Sequence, residues 1–202
     1  MTEVDHRTRS RRRGDLLVDH ILDAAVAELS ESGYAGLTMD AVARRAGASK
    51  ASLYRRWPHL PALVLDALYR AMPTTATVPD RGSAREDLLA VMREISAQLA
   101  GPVGSAIRGL VGEALRNPDV AVQVHDYSRG NSRQVVRLVA ERAVARGECR
   151  AEFVTAGRLE AGLALLRQQF LVTGRPPDDS TLVEIVDEVM LPLLGIASPH
   201  EA

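Results

Sequence analysis

From Leu17 to Leu194 the apolar residues of this chain recur at every third or fourth position, and no segment alternates convincingly at period two. That pattern calls for helices, because a helix brings residues three and four apart onto one stripe whereas a strand sends successive side chains to opposite faces. Leu17, Ile21, Ala25 and Leu29, flanked by Val18, Leu22 and Val26, form a first stripe that ends near Gly33, a suitable residue just past a helix end. Thr38 is a good N-cap for a short second helix with Asp40 at its positive end and Val42, Ala43 and Ala46 facing inward. Ser49 caps a third, in which Leu53 and Trp57 share one side and Pro58 forces a stop after barely two turns. Pro61 fits the first turn of a fourth. Residues 73–83 are turn-rich and aperiodic, a connection between two layers. Ser83 and Glu86 then form a capping box for a fifth helix. Gly101-Pro102, Asn117-Pro118 and Gly147 bound a sixth and a seventh, with Gly130-Asn131-Ser132 a candidate break in the latter. Residues 152–174 and 180–194 supply the last two. The expected fold class is all-α, with about nine helices.

Charge narrows the partners. The net charge of −1 gives no global attraction for a polyanion, so any such signal is local. The first sixty residues hold ten Lys/Arg against eight Asp/Glu, and the remainder fifteen against eighteen. The densest basic run is Arg7, Arg9, Arg11, Arg12 and Arg13, which reads either as a flexible arm reaching DNA or as a solvated tail. Cys149 is the only cysteine, so no intrachain disulfide forms and a reduced, cytoplasmic protein is expected. No apolar run is long enough to span a bilayer, and no membrane partner is expected. His6, His20, His59, His125 and His200 lack metal-ligand spacing, and neither a phosphate loop nor a nucleophile elbow is present. An enzyme is therefore not expected, nor is a metal or other cofactor.

The stretch from Thr38 to Trp57 carries the most chemistry. Two short helices meet at Ala46-Gly47-Ala48-Ser49, and the second is basic and hydroxyl-rich. A two-turn helix held crosswise by a short corner has the right shape to enter a major groove about 12 Å wide while its neighbour braces against the backbone. The capped helix starts at Thr38 and Ser49 suit phosphate, and Tyr54, Arg55 and Arg56 can reach backbone or base edges. A helical hairpin with a purely structural role has the same shape, so a ligand-binding or protein-interaction module is the alternative.

The segment "GYAGLTMDAVARRAGASKASLYRRWPHLPALVLDAL" resembles the N-terminal DNA-binding domain of TetR-family transcriptional regulators. More loosely, "NPDVAVQVHDYSRGNSRQVVRLVAERAVARGECRAE" is similar to the seventh-helix region of the family's ligand domains. The resemblance implies a homodimer bound to a pseudo-palindromic operator, usually as a repressor, with a small molecule in the C-terminal domain shifting the fourth helix and spreading the reading heads. Its DNA-contacting positions correspond to Thr38, Ser49, Lys50, Ala51, Ser52, Tyr54 and Arg55, to which the basic residues Arg44, Arg56, Arg11, Arg12 and Arg13 are added. Two positions depart from the pattern: Leu60 stands where the family commonly has a lysine, and Ala51 where it has a glycine.

The expected organisation is an arm (1–14), a helix-turn-helix domain (15–60, motif 38–57), a connecting helix (61–72) and a C-terminal regulatory and dimerisation domain (83–196). Met92, Ile95, Leu99, Ile107, Val111, His125, Leu166 and Phe170 are candidate pocket residues, although the same side chains suit an ordinary core. The ninth helix is apolar over too wide an arc for one buried side. Leu159, Leu163, Phe170, Ile185, Val189 and Leu193 on the last two helices are therefore candidates for a two-fold interface, or else for a central core.

Overall fold

The structure is a computed structural model that describes the backbone of residues 6–197 and the side chains of residues 16–126 and 132–197. It consists of α1 (His6–Gly36), α2 (Met39–Arg45), α3 (Lys50–Tyr54), α4 (Leu60–Ala71), α5 (Ala84–Leu99), α6 (Pro102–Ala114), α7 (Pro118–Ala145), a 3₁₀ turn (Ala151–Phe153), α8 (Ala156–Thr173) and α9 (Asp179–Glu184). α9 runs on through a π-helical segment (Ile185–Met190) into α10 (Leu191–Leu193). The predicted ninth helix is thus one rod whose central turn is widened. α7 is continuous, so Gly130-Asn131-Ser132 does not break it. α1 begins at His6, inside the predicted arm, and non-helical Gly33 (φ 66°) kinks it just before its end.

Caps follow the sequence closely. Thr38 Oγ1 accepts from the Ala41 amide at 3.1 Å, and Ser49 and Ser83 do the same for Ser52 and Glu86, each at 3.2 Å. The corner after α2 closes as a Schellman motif, with Ala48 N–H donating to Ala43 O and Gly47 N–H to Arg44 O. Gly47 sits there at φ 62°, where a β-carbon would be strained.

The buried side chains fall into two clusters. One joins Ile21, Ala25 and Leu29 of α1 to Val42 of α2, Leu53 of α3, Trp57, and Leu63, Val64 and Leu68 of α4. The other joins α5, α7, α8 and the last helical rod through Leu88, Met92, Val139, Leu166, Val186 and Met190. α6 belongs to both. Its Val103, Ala106 and Leu110 lie in the first cluster, while Ile107 packs against either. The close fit depends on absent side chains: a β-carbon on Gly104 would overlap the Leu99 carbonyl oxygen, and one on Gly109 would overlap the Tyr34 ring.

Polar clamps hold the second layer. Arg85 of α5 makes a paired hydrogen bond to buried Asp187 in the π-helical segment, at 2.7 and 2.8 Å. The 73–83 connection is tied to α7 by Arg142, which donates to Pro79 O at 2.9 Å, and by Arg146, which meets Asp80 at 3.2 Å. Glu148 accepts from the Ala84 amide at 2.7 Å and from Arg146. Burial pushes the Glu148 carboxyl upward, but the Ala84 amide and Arg146 outweigh it and hold the group below its ordinary value of 4.5.

Two outcomes are expected. Gly104→Ala should lower the unfolding free energy by about 2 kcal/mol or more in a denaturant titration, because the overlap is with backbone. A depressed carboxyl stabilises the fold above its unfolded value, and that gain disappears as pH falls through the folded value. The stability gap between the wild type and Glu148→Gln should therefore be open at neutral pH and close below about pH 4.5, read from denaturation midpoints across pH.

Candidate nucleic-acid interface

α2 and α3 present their polar sides outward because their apolar residues are consumed by the core: Val42, Leu53 and Trp57 are buried. The Trp57 indole N–H donates to Asp66 Oδ2 at 2.7 Å, which fixes the end of the α3 turn against α4. What remains on the surface is largely polar and basic. Arg44, Ser49, Lys50, Ala51, Tyr54, Arg55 and Arg56 are exposed, Thr38 is exposed at the start of α2, and Ser52 is half-buried beside Ser49. Tyr54, at 48% exposure, leaves a large ring in water with no core role.

The local electrostatics were only partly legible. Lys50 bridges the corner to Asp40 at 2.5 Å, with both side chains more than half exposed. Such a surface pair is worth little, so a phosphate can compete for the ammonium. Arg45, which the sequence did not single out, is exposed but engaged by Glu28 (2.7 Å) and Glu31 of α1 and ties α2 to α1. Arg11, Arg12 and Arg13 lie outside the residues whose side chains are described. Leu60, at the position where a lysine was expected, packs against the N-terminal cluster. His59 starts α4 by accepting the Ala62 amide on Nδ1 at 3.3 Å, and its Nε2 lies 3.4 Å from Gln123 of α7. That link joins the motif to the second layer, and histidine is too uncommon a cap for the pattern to have flagged it.

Behind the motif lies a cavity of about 190 Å³. Five of the eight candidate pocket residues line it: Ile95, Leu99, Ile107, Val111 and Leu166. Met92 and Phe170, fully buried in the C-terminal cluster, do not, and neither does His125, which is exposed on α7. Sequence reasoning missed nine lining residues, among them Leu65 and Leu68 of α4 and Met72 just past its end, which form the α4 wall of the cavity, and Ser132 and Arg167, which supply its polar groups. The signal for the α4 wall was present: α4 carries apolar residues around more of its circumference than one core face needs.

Of the two alternatives for the apolar residues of the last two helices, an interface or a central core, most take the second within this chain. Leu159, Leu163, Phe170 and Ile185 are buried within the chain's own core, while Val189 and Leu193 are half-buried. The wide apolar arc is satisfied largely within one chain, since α8 and the rod after α9 pack on each other and on α5 and α7. The side of α8 left facing out carries Gly157, Ala164, Leu165 and Val172, with Leu165 at 41% and Val172 at 74% exposure.

Among the described residues no cluster of three or more His, Cys, Asp or Glu could hold a metal ion, and no helix is long and apolar enough to cross a membrane.

Comparison with known proteins places this geometry. Residues 21–66 match the family described as bacterial regulatory proteins, tetR family, and residues 78–189 match the tetracyclin repressor-like C-terminal domain. An HTH-type transcriptional regulator of Mycobacterium tuberculosis is 33% identical over 174 residues, covering 86% of each chain. The HTH-type transcriptional regulator AqdR of Rhodococcus erythropolis is 32% identical, covering 75% of this chain and 72% of that protein. The DNA-binding transcriptional repressor TetR of Mycobacteroides abscessus is 30% identical, covering 90% and 96%. The crystal structure of the TetR family transcription regulator SCO0332 superposes with a TM-score of 0.73 at 27% identity, covering 90% of this chain and 98% of that one. Regulators of this family bind operator DNA and small-molecule ligands and form dimers, and they are not enzymes. The chain belongs to the TetR family of DNA-binding transcriptional regulators.

Proposed function

We propose that this protein is a homodimeric repressor of a pseudo-palindromic operator, released when a small molecule enters the cavity behind α4. The observation that carries this reading is the shared wall. Leu65 and Leu68 of α4 and Met72 at its end border the cavity, and α4, capped by His59, follows α3 after a short turn that includes buried Trp57. A guest that pushes these side chains moves the helix on which the motif is mounted, and small shifts at such a site are amplified because packed elements are not continuously deformable.

In this reading Tyr54, Arg55 and Lys50 enter the major groove or reach its flanking phosphates, and Arg44 and Arg56 add positive charge. Thr38 and Ser49 contribute hydroxyls that accept in their caps yet still have a proton to donate outward. Two such heads, held one helical turn of DNA apart by a two-fold axis, read the half-sites of a palindrome. The pairing surface is the outward side of α8, with Ala164, Leu165 and Val172, next to Val189 and Leu193 on the following rod. The small residues Gly157 and Ala164 let a partner helix approach closely.

Tyr54→Ala and Arg55→Ala should each weaken binding to the operator beside the protein's own gene by about 1–3 kcal/mol, read by fluorescence anisotropy with unrelated DNA as competitor, without changing the melting temperature. Normal affinity in both variants would remove α3 as the reader. Leu165→Glu should shift the protein from dimer to monomer in light scattering while helix content is retained. Leu163→Glu, in contrast, should unfold the chain, because Leu163 is 2% exposed within its own core.

A further inference from the structure

Resting on the reading of the cavity as the effector site, we infer that the effector is a small aliphatic molecule with a single anionic head, its tail among the leucines of α4 and α8 and its head at Arg167 and Ser132. The described wall favours one class of guest. Apart from Ser132 and Arg167, the described lining is Leu, Ile, Val and Met, with no aromatic ring on which a flat guest could stack.

The polar end carries an unbalanced positive charge. Arg167 is hydrogen-bonded to Glu160, and the same carboxylate is faced by Arg133 at 3.6 Å. Two guanidinium groups therefore share one carboxylate. Arg133 Nε and Glu160 Oε2 face each other at that distance, too long for a hydrogen bond, and neither has another partner among the described residues, so Arg133 is incompletely paired while Arg167 holds the other carboxylate oxygen. An anion at Arg167 supplies the missing charge and lets the cluster rearrange into complete pairing, whereas a cation adds to the excess. Size sets the tail. The cavity, at about 190 Å³, is somewhat larger than the roughly 150 Å³ cavity that takes up a benzene-sized guest, which suits a molecule of about seven to ten heavy atoms.

Isothermal titration calorimetry on the full chain with octanoate, 1-octanol and octylammonium tests this. Octanoate should bind at least about tenfold more tightly than octanol, and octylammonium weakest of the three. Arg167→Leu should abolish the advantage of octanoate while leaving octanol binding unchanged; Glu160 keeps Arg133, so no carboxylate is stranded by the substitution. If that variant fails to fold, the octanoate and octanol comparison on the unaltered chain still decides. Val111→Phe, which fills the cavity, should weaken octanoate. Equal or tighter binding of octanol or octylammonium, full octanoate affinity in Arg167→Leu, or full affinity in Val111→Phe would each overturn the inference. Absence of any alkyl binding by a chain that still holds its operator would overturn the ligand class and leave the regulator reading standing. Octanoate that binds at Arg167 without releasing the operator would uphold the ligand class and remove the release mechanism.

Discussion

The arrangement rests on the packing of α6 between two cores. Val103, Ala106 and Leu110 complete the cluster around the motif, while Ile107 and Val111 border the cavity. Two glycines make that position attainable, since Gly104 lies against the Leu99 backbone and Gly109 against the Tyr34 ring. Tyr34 then fastens the end of α1 to α6 by donating its hydroxyl to Glu113, and burial together with that carboxylate raises its phenol well above the ordinary range. The motif is therefore not a head on a loose stalk. A displacement of α6 or α4 reaches α1 and α2 through tightly packed atoms, which is the requirement for coupling a buried guest to a distant surface.

The exposed face of α2 and α3 gives the complementary half. Core packing removes Val42, Leu53 and Trp57 from the surface, and Arg45 is engaged by two glutamates of α1. Among the residues left exposed, Thr38, Arg44, Ser49, Lys50, Tyr54, Arg55 and Arg56 can donate hydrogen bonds to a polyanion, with Tyr54 adding an exposed ring. A net charge of −1 is compatible with this, because screening confines electrostatic attraction to the patch that approaches the DNA.

Legibility from the sequence differed between elements for physical reasons. Caps at Thr38, Ser49 and Ser83 were readable because capping is a contact between residues three apart, and the Gly47 corner because its left-handed backbone is a local demand. The cavity was half-readable. Periodicity marked Ile95, Leu99 and Val111 as inward-facing, yet the same signal marked Met92 and Phe170, and nothing local separates a residue that fills a core from one that borders a void. On α8, Leu159 and Leu163 took the core alternative within the chain itself, and periodicity alone does not separate a leucine that packs in its own core from one, such as Leu165, that stays exposed.

The sequence by itself determined the all-helical class, the helix ends, the helix-turn-helix and its outward residues, since all of these follow from interactions spanning one or two turns of chain. Only the tertiary structure decided that α4 walls the cavity, that α6 serves both cores, that Arg45 ties α2 to α1, and that Arg133 and Arg167 converge on Glu160. Those outcomes join residues tens of positions apart, and which of several equally apolar or equally charged side chains meet is fixed by how the helices pack.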